Sequence, residues 1–372
     1  MVKRGRNASW ACANLQRGSD SRTREMSGVG PIWQFIDSSS VGGAERHVAT
    51  LADSLRRRAI TAAVLLLEDH GDNPWLAQLE AADIPYRHLD GRFGTLVAAL
   101  KAERPALLHT HGYKAGILGR AAARIARVPV VSTFHSGERG PYPVGAYECL
   151  DDWTSFLGAR IAVSPRIRDR LPFSSTVIPS YVRTDAEAPV APLPRLAGFV
   201  GRLSAEKGPD LFCRLAAAAR TEPALCDAEW HVWGDGPMRR ALEAEYAGVV
   251  TFHGVATDMD LVWPRIGLLV MPSRFEGVPL AALEAAAHGV PVLASAVGGL
   301  PSVVDVARTG WLFGVGDIAG ALRGARQWTA DIEQDAARLR RDCWLKARKD
   351  FSEDRWLPDV LAVYRQAGCP AA

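Results

Sequence analysis

The feature that most limits the fold is an alternation that starts at Pro31 and later starts again. PIWQFID reads as a strand, SSSVGGA as a glycine loop and AERHVATLADSLRRR as a helix. Within that helix Val48, Leu51, Ala52 and Leu55 recur at the i, i+3, i+4, i+7 spacing of one buried face. TAAVLLLE, PYRHL, ALLHTHG and PVVSTFH follow as strands, separated by helical patterns in NPWLAQLEAAD, GTLVAALKAER and YKAGILGRAAARIAR. Strands that alternate with helices line up parallel, because each helix carries the chain back to the starting edge. The series predicts a doubly wound parallel sheet.

After the proline-rich span APVAPLPRL the series restarts with the strand AGFVGRL and the helix PDLFCRLAAAAR. AEWHVWGDG, GVVTFHG, RIGLLVMPS and VPVLASA continue it as strands. A chain of 372 residues is too long for one ordinary core. The expectation is therefore an α/β protein of two Rossmann-like domains, 30–185 and 186–350, facing across a cleft. In such sheets ligands sit at the carboxyl ends of the strands, so the cleft is where a substrate belongs. Residues 351–372 read as a C-terminal helix that crosses back to the first domain.

Composition excludes several functions. The longest apolar runs, ITAAVLLL and IGLLVMPS, fall far short of the roughly 18 residues that span a bilayer. The six cysteines, at positions 12, 149, 213, 226, 343 and 369, show no CxxC pair and no zinc-finger spacing, which reads as reduced thiols in a cytoplasmic protein. The net charge of +3 is concentrated in residues 1–25, with six basic and two acidic side chains. The body is near neutral, which argues against nucleic-acid binding. Residues 1–29 read as a disordered basic tail, with Met26 an alternative start and no apolar centre of a secretory signal.

The chemistry lies in the loops that follow the strands. Gly42 and Gly43 precede the first helix, either as a plain turn or as a place where backbone N–H groups approach a phosphate. The loop is not GxGxxG followed by an acid, so a nicotinamide site is disfavoured. Arg202 and Lys207, in VGRLSAEKGPD, stand before a helix near Pro209, where two cations and a helix dipole can neutralise a diphosphate. In SRFEGVPLAALEAAAHG, Glu276 lies in the loop and Glu284 a turn and a half into a helix spanning Leu280 to Ala287. Either both carboxylates face one ligand, or Glu276 caps the helix and Glu284 pairs with a surface cation. His109 and His111 share one face of a strand, but no Asp/His cluster with ligand spacing follows, and no metal is expected. His135, ending PVVSTFH, is the better candidate for work in the cleft, against the alternative of a core histidine. The basic residues Arg56, Arg57, Arg58, Lys114, Arg120, Arg124 and Arg127 give two helices of the first half a solvated face or one suited to anionic lipid.

Taken together, GGAER, STFH, AVSPRIRDRL, VIPS, FVGRLSAEKGPDLF, WGDGPMRRALE, VTFHGV and MPSRFEGVPLAALEAAAHGVPVLASAVGGLPSVV resemble glycosyltransferase family 4, whose members are retaining enzymes of the GT-B fold. The resemblance runs from about residue 32 to the final FSEDRWLPDVLAVYRQ helix. It implies that Arg202 and Lys207 hold a donor diphosphate and that Glu284 binds the ribose hydroxyls. It places Glu276 and His135 at the transferred sugar. The backbone of Gly277, Val278, Pro279 and Leu280 would meet sugar and phosphates, and Gly43 would close over the donor. One departure stands out: VIPSYVRTD has Ser180 and Tyr181 where the family often has Asn-Gly.

The function so implied is metal-independent, cofactor-free transfer of a hexosyl unit from a nucleoside-diphosphate sugar. The acceptor would be a glycan, a lipid-linked sugar or a small molecule, in polysaccharide or glycoconjugate biosynthesis. The cytoplasm is the expected setting, with room for peripheral contact with an anionic membrane. Two other readings share this body: a nucleotide-sugar 2-epimerase and a non-catalytic nucleotide-sugar-binding protein.

Overall fold

A computed structural model describes residues 30–39, 41–135, 142–185, 187–256, 258–277, 279–306 and 308–372. The first half builds one sheet from β1 (Ile32–Ile36), β2 (Ala62–Leu66), β3 (Tyr86–His88), β4 (Leu107–His111), β5 (Val130–Phe134), β6 (Ala159–Ala162) and β7 (Thr176–Val177). Their spatial order is β3-β2-β1-β4-β5-β6-β7, all parallel. The second half builds another from β8 (Leu196–Val200), β9 (Glu229–Trp233), β10 (Thr251–Gly254), β11 (Leu268–Met271), β12 (Val292–Ser295) and β13 (Gly310–Phe313). Here the order is β10-β9-β8-β11-β12-β13, again parallel throughout.

β1, β2, β4, β5 and β8 are buried along their whole length. Helices on both faces require this, and it explains why the strands read as apolar runs rather than as alternating patterns. Strand order reverses between β1 and β4 and again between β8 and β11. The loops leaving those strands are the ones that can reach a ligand.

The chain passes between the halves twice, and the two passages touch. Val182 N–H donates to the Phe351 carbonyl (2.9 Å) and Glu353 N–H to the Val182 carbonyl (3.0 Å). Just before this point Tyr181, only 1 % exposed, sets its ring 5.9 Å from that of His47. The second passage opens helix Glu353–Gln366, whose Ser352 hydroxyl caps it by accepting from Arg355 N–H. Leu357, Val360, Val363 and Tyr364 of this helix lie in one core cluster with Ile32, Leu51, Leu107 and Ile161. Helix Ile318–Asp350, bent at Asp335, covers the second sheet through Ala321, Ala325 and Trp328.

The two basic helices are largely neutralised. Arg57 pairs with Glu353 (2.6 Å), Arg58 with Asp354 (3.1 Å), and Lys114 with Asp37 (2.9 Å) and Glu68 (2.8 Å). Arg120 does not belong to a surface face at all. Its fully buried guanidinium donates to the Asp151 carboxylate (2.6 Å) and carbonyl (2.8 Å), to Thr154 Oγ1 (2.7 Å) and to Ser132 Oγ (2.9 Å). The sequence spacing of the helix counted that residue among solvated cations because its partner lies 31 positions away.

Removing one member of a buried pair leaves the other charge uncompensated, at about 3–5 kcal/mol. Arg120→Leu is therefore expected to lower the unfolding free energy by that amount, with Arg120→Leu/Asp151→Leu recovering part of it. Urea denaturation followed by circular dichroism measures both.

Candidate active site

The loop after β8 carries Arg202 and Lys207 and ends at helix Pro209–Ala219. Gly208 joins them in a left-handed conformation (φ 69°), where a Cβ would collide with the Pro272 carbonyl. This close approach lays the Lys207 loop against the loop after β11. There Lys207 Nζ donates to both Glu276 oxygens at 2.8 Å, and Ser273 Oγ donates to Glu276 Oε1 at 2.9 Å. The Glu276 side chain is 3 % exposed and that of Lys207 34 %. A buried carboxylate needs such a partner, and Glu276 therefore faces the cation rather than capping the helix. Arg202 is exposed at the rim of the same loop.

A second clamp holds this turn from the loop after β12. Gly299 N–H donates to the Gly277 carbonyl (2.9 Å). Gly298, at φ 55°, packs against the Glu276 carbonyl so closely that any Cβ would overlap it. Pro279, with an extended ψ of 91°, is the N-cap, and the helix runs Leu280–Ala287. Val278 lies outside the described residues.

Residues of the first half meet this turn at three points. Gly43, which opens helix Gly43–Arg57, is near Leu280: a Cβ on Gly43 would lie 3.9 Å from Leu280 Cδ1. A Cβ on Gly277 would lie 3.7 Å from the His135 carbonyl oxygen. Arg46 Nη1 donates to Glu284 Oε2 at 2.5 Å. The partner of Glu284 is thus a cation, but one supplied from across the cleft. A cavity of about 940 Å³ opens beside this pair, lined by Arg46, Leu280, Glu284, Trp263 and His288. Lys207 and Glu276 are not among its lining residues.

Behind His135 lies a connected set of histidines. His135 Nε2 is 3.1 Å from His111 Nδ1, and His111 Nε2 is 2.9 Å from Gln34 Oε1. His109 is held by Thr133 Oγ1 and by the Tyr364 hydroxyl, both at 2.7 Å. The His47 ring stands edge-on to His135, with centroids 4.9 Å apart. Burial pushes His47 down to about 4 and holds His109, His111 and His135 well below the ordinary histidine value, so all four are neutral at pH 7. Neither spacing nor motif marked His47, Arg46 or Gln34 as site residues. Gln34 did carry a signal, as the one polar residue inside the buried strand IWQFI.

Two doubly wound parallel sheets, with charged glycine-containing loops meeting between their carboxyl edges, make up the GT-B architecture. Solved structures share the architecture. Anabaena HepE in complex with UDP and glucose superposes with a TM-score of 0.72 at 20% identity, covering 91% of this chain and 98% of that one. Sucrose-phosphate synthase of Thermosynechococcus elongatus superposes with 0.71 at 21% identity, covering 90% and 98%. Residues 41–179 match the model of Glycosyltransferase Family 4, and residues 194–331 that of Glycosyl transferases group 1. The chain belongs to glycosyltransferase family 4. Among curated relatives, an Escherichia coli galactosyltransferase acting on GlcNAc-diphosphoundecaprenol is 27% identical over 64% of this chain and 70% of its own. The 2-deoxystreptamine N-acetyl-D-glucosaminyltransferase of Streptomyces fradiae is 27% identical over 79% and 84%.

The Lys207–Glu276 pair is expected to show strong energetic coupling. Lys207→Met should cost about 1–3 kcal/mol, and adding Glu276→Gln should return most of it. Chemical denaturation of the two single variants and the double variant measures the coupling, and additive losses would contradict the pairing.

Proposed function

We propose that the chain transfers a hexosyl unit from a nucleoside-diphosphate sugar to a hydroxyl acceptor, with retention at the anomeric carbon and without a metal ion. The observation that carries this is the convergence of Gly43, Arg46 and His135 from one half on Leu280, Glu284 and Gly277 of the other.

Glu284, at the edge of the cavity, is the ribose-binding carboxylate in this reading, and the nucleotide takes over the place of the Arg46 guanidinium. The diphosphate lies toward Arg202, Lys207 and the N-terminus of helix Leu280–Ala287. Fixed positive potential there stabilises the charge that develops as the donor bond breaks. Such a cationic set does the work that a divalent metal would otherwise do. The bond from the anomeric carbon to the phosphate oxygen breaks, and the acceptor oxygen bonds to the same face. The acceptor proton passes to the departing diphosphate oxygen. Glu276, with Lys207 on its carboxylate, and neutral His135 position the sugar hydroxyls. Relatives named for lipid-linked and for aminocyclitol acceptors support an acceptor of the lipid-linked or small-molecule class.

Release of nucleoside diphosphate that depends on added acceptor tests the reading. It separates transfer from 2-epimerisation, which needs no acceptor. Glu284→Ala and Arg202→Ala are expected to lower kcat/KM for the donor by ~10²-fold or more, with folding preserved by circular dichroism. Wild-type turnover in both would overturn it.

Peripheral lipid contact belongs to the same reading. No helix among the described residues is long and apolar enough to cross a membrane. The first half does expose Tyr147, Leu150, Trp153 and Phe156 at 47–64% along one edge. Phe173 packs against the last two, with the Arg160 guanidinium 5.9 Å from its ring. Amphipathic rings flanked by cations suit a bilayer interface. Anionic liposomes are expected to float the wild type and to lose Trp153→Ser/Phe156→Ser.

A further inference from the structure

Four of the nine histidines of the chain gather behind the cleft, and they differ in what their nitrogens do. Both nitrogens of His109 are taken, by Tyr364 and Thr133. His47, His111 and His135 are arranged otherwise: each has a ring nitrogen within 4.8 Å of a ring nitrogen on the other two. They come from three separate elements, helix Gly43–Arg57, the last residue of β4 and the residue after β5. His111 is held in the sheet, His47 in a helix, and His135 directly follows β5.

We propose that His47, His111 and His135 form a three-imidazole site for a divalent metal ion of the zinc class. Tetrahedral zinc binds imidazole nitrogen at about 2.0–2.1 Å, which sets neighbouring ligand atoms roughly 3.3 Å apart. The His111 Nδ1 to His135 Nε2 separation of 3.1 Å needs only a small opening to meet that spacing. Gln34 Oε1 accepts from His111 Nε2–H, which leaves the Nδ1 lone pair directed at the centre. A hydrogen-bond acceptor on the far nitrogen is what orients histidine ligands in metal sites. In the metal-free state His135 Nε2–H donates to that lone pair. Ligation moves this proton to His135 Nδ1, so neutral imidazole is kept and no proton is lost.

The donor set selects the ion. Three imidazoles suit zinc, cobalt, nickel or copper, whereas magnesium and calcium require oxygen ligands. His135 is half-buried, so the fourth position opens toward the cleft. On the transferase reading above, an ion there engages the imidazole that positions the sugar hydroxyls, and it acts as an inhibitor and not as a cofactor. The other cluster of ligand type among the described residues, Asp37, Glu68 and His70, is different, because the Lys114 ammonium already sits 2.8–2.9 Å from its carboxylates.

Cobalt(II) titration of the tag-free full chain tests the site without reference to activity. The expected result is one ion per chain with the intense visible absorption of tetrahedral cobalt, displaced by zinc and not by excess magnesium. Losing the hydrogen-bond partner of a histidine ligand costs ~10–100-fold in affinity, and losing a ligand costs at least as much. His47→Ala should therefore weaken binding by that factor, while His70→Ala leaves it unchanged. X-ray absorption on the wild-type cobalt complex, which requires no variant to fold, should count three imidazoles. A weak octahedral spectrum, displacement by magnesium, unchanged affinity in His47→Ala, or fewer than three imidazoles would each overturn the proposal.

Discussion

A carboxylate with 3 % of its side chain exposed must have a cation, and the site is arranged around that requirement. Glu276 lies in the loop after β11 and Lys207 in the loop after β8, on neighbouring strands of one sheet. Bringing them together forces the two loops into contact, which Gly208 permits by carrying no side chain, and Gly298 lets the loop after β12 close on Glu276 in the same way. Glu276 and Gly277 are then held on two sides, ahead of helix Leu280–Ala287. The ion pair thus ties Glu276 to the loop after β8.

The two halves approach through the same turn. Arg46 reaches Glu284 from across the cleft, and the His135 backbone lies beside Gly277. The contact is polar and charged at its centre, with Arg46 and Glu284 each about one-fifth to one-quarter exposed. A ligand with hydroxyls for Glu284 and negative charge for the cations can replace this contact with its own.

Much of the fold was legible. The period of apolar residues separated strands from helices, and the restart after APVAPLPRL showed that there would be two sheets. Helix Leu280–Ala287 lies where its pattern placed it. What the spacing of residues could not reveal was pairing at a distance. Arg120 looked like one more cation on a helix face, but Asp151 draws it fully inside. Glu276 looked equally able to cap a helix, and Lys207, 69 positions away, decides otherwise. The HTH strand raised a metal and set it aside for want of neighbouring ligands in sequence. The companions of His111 come instead from a helix and from another strand's end, where only the topology brings them. The departure at Ser180 and Tyr181 also has a packing role, with Tyr181 buried beside His47 where the two chain passages meet.

The most direct test of the account is a crystal structure of the chain with a bound nucleoside diphosphate. It should show ribose hydroxyls on the Glu284 carboxylate, the Arg46–Glu284 pair broken, and the phosphates beside Arg202 and Lys207. A nucleotide bound elsewhere, with Arg46 still on Glu284, would contradict it.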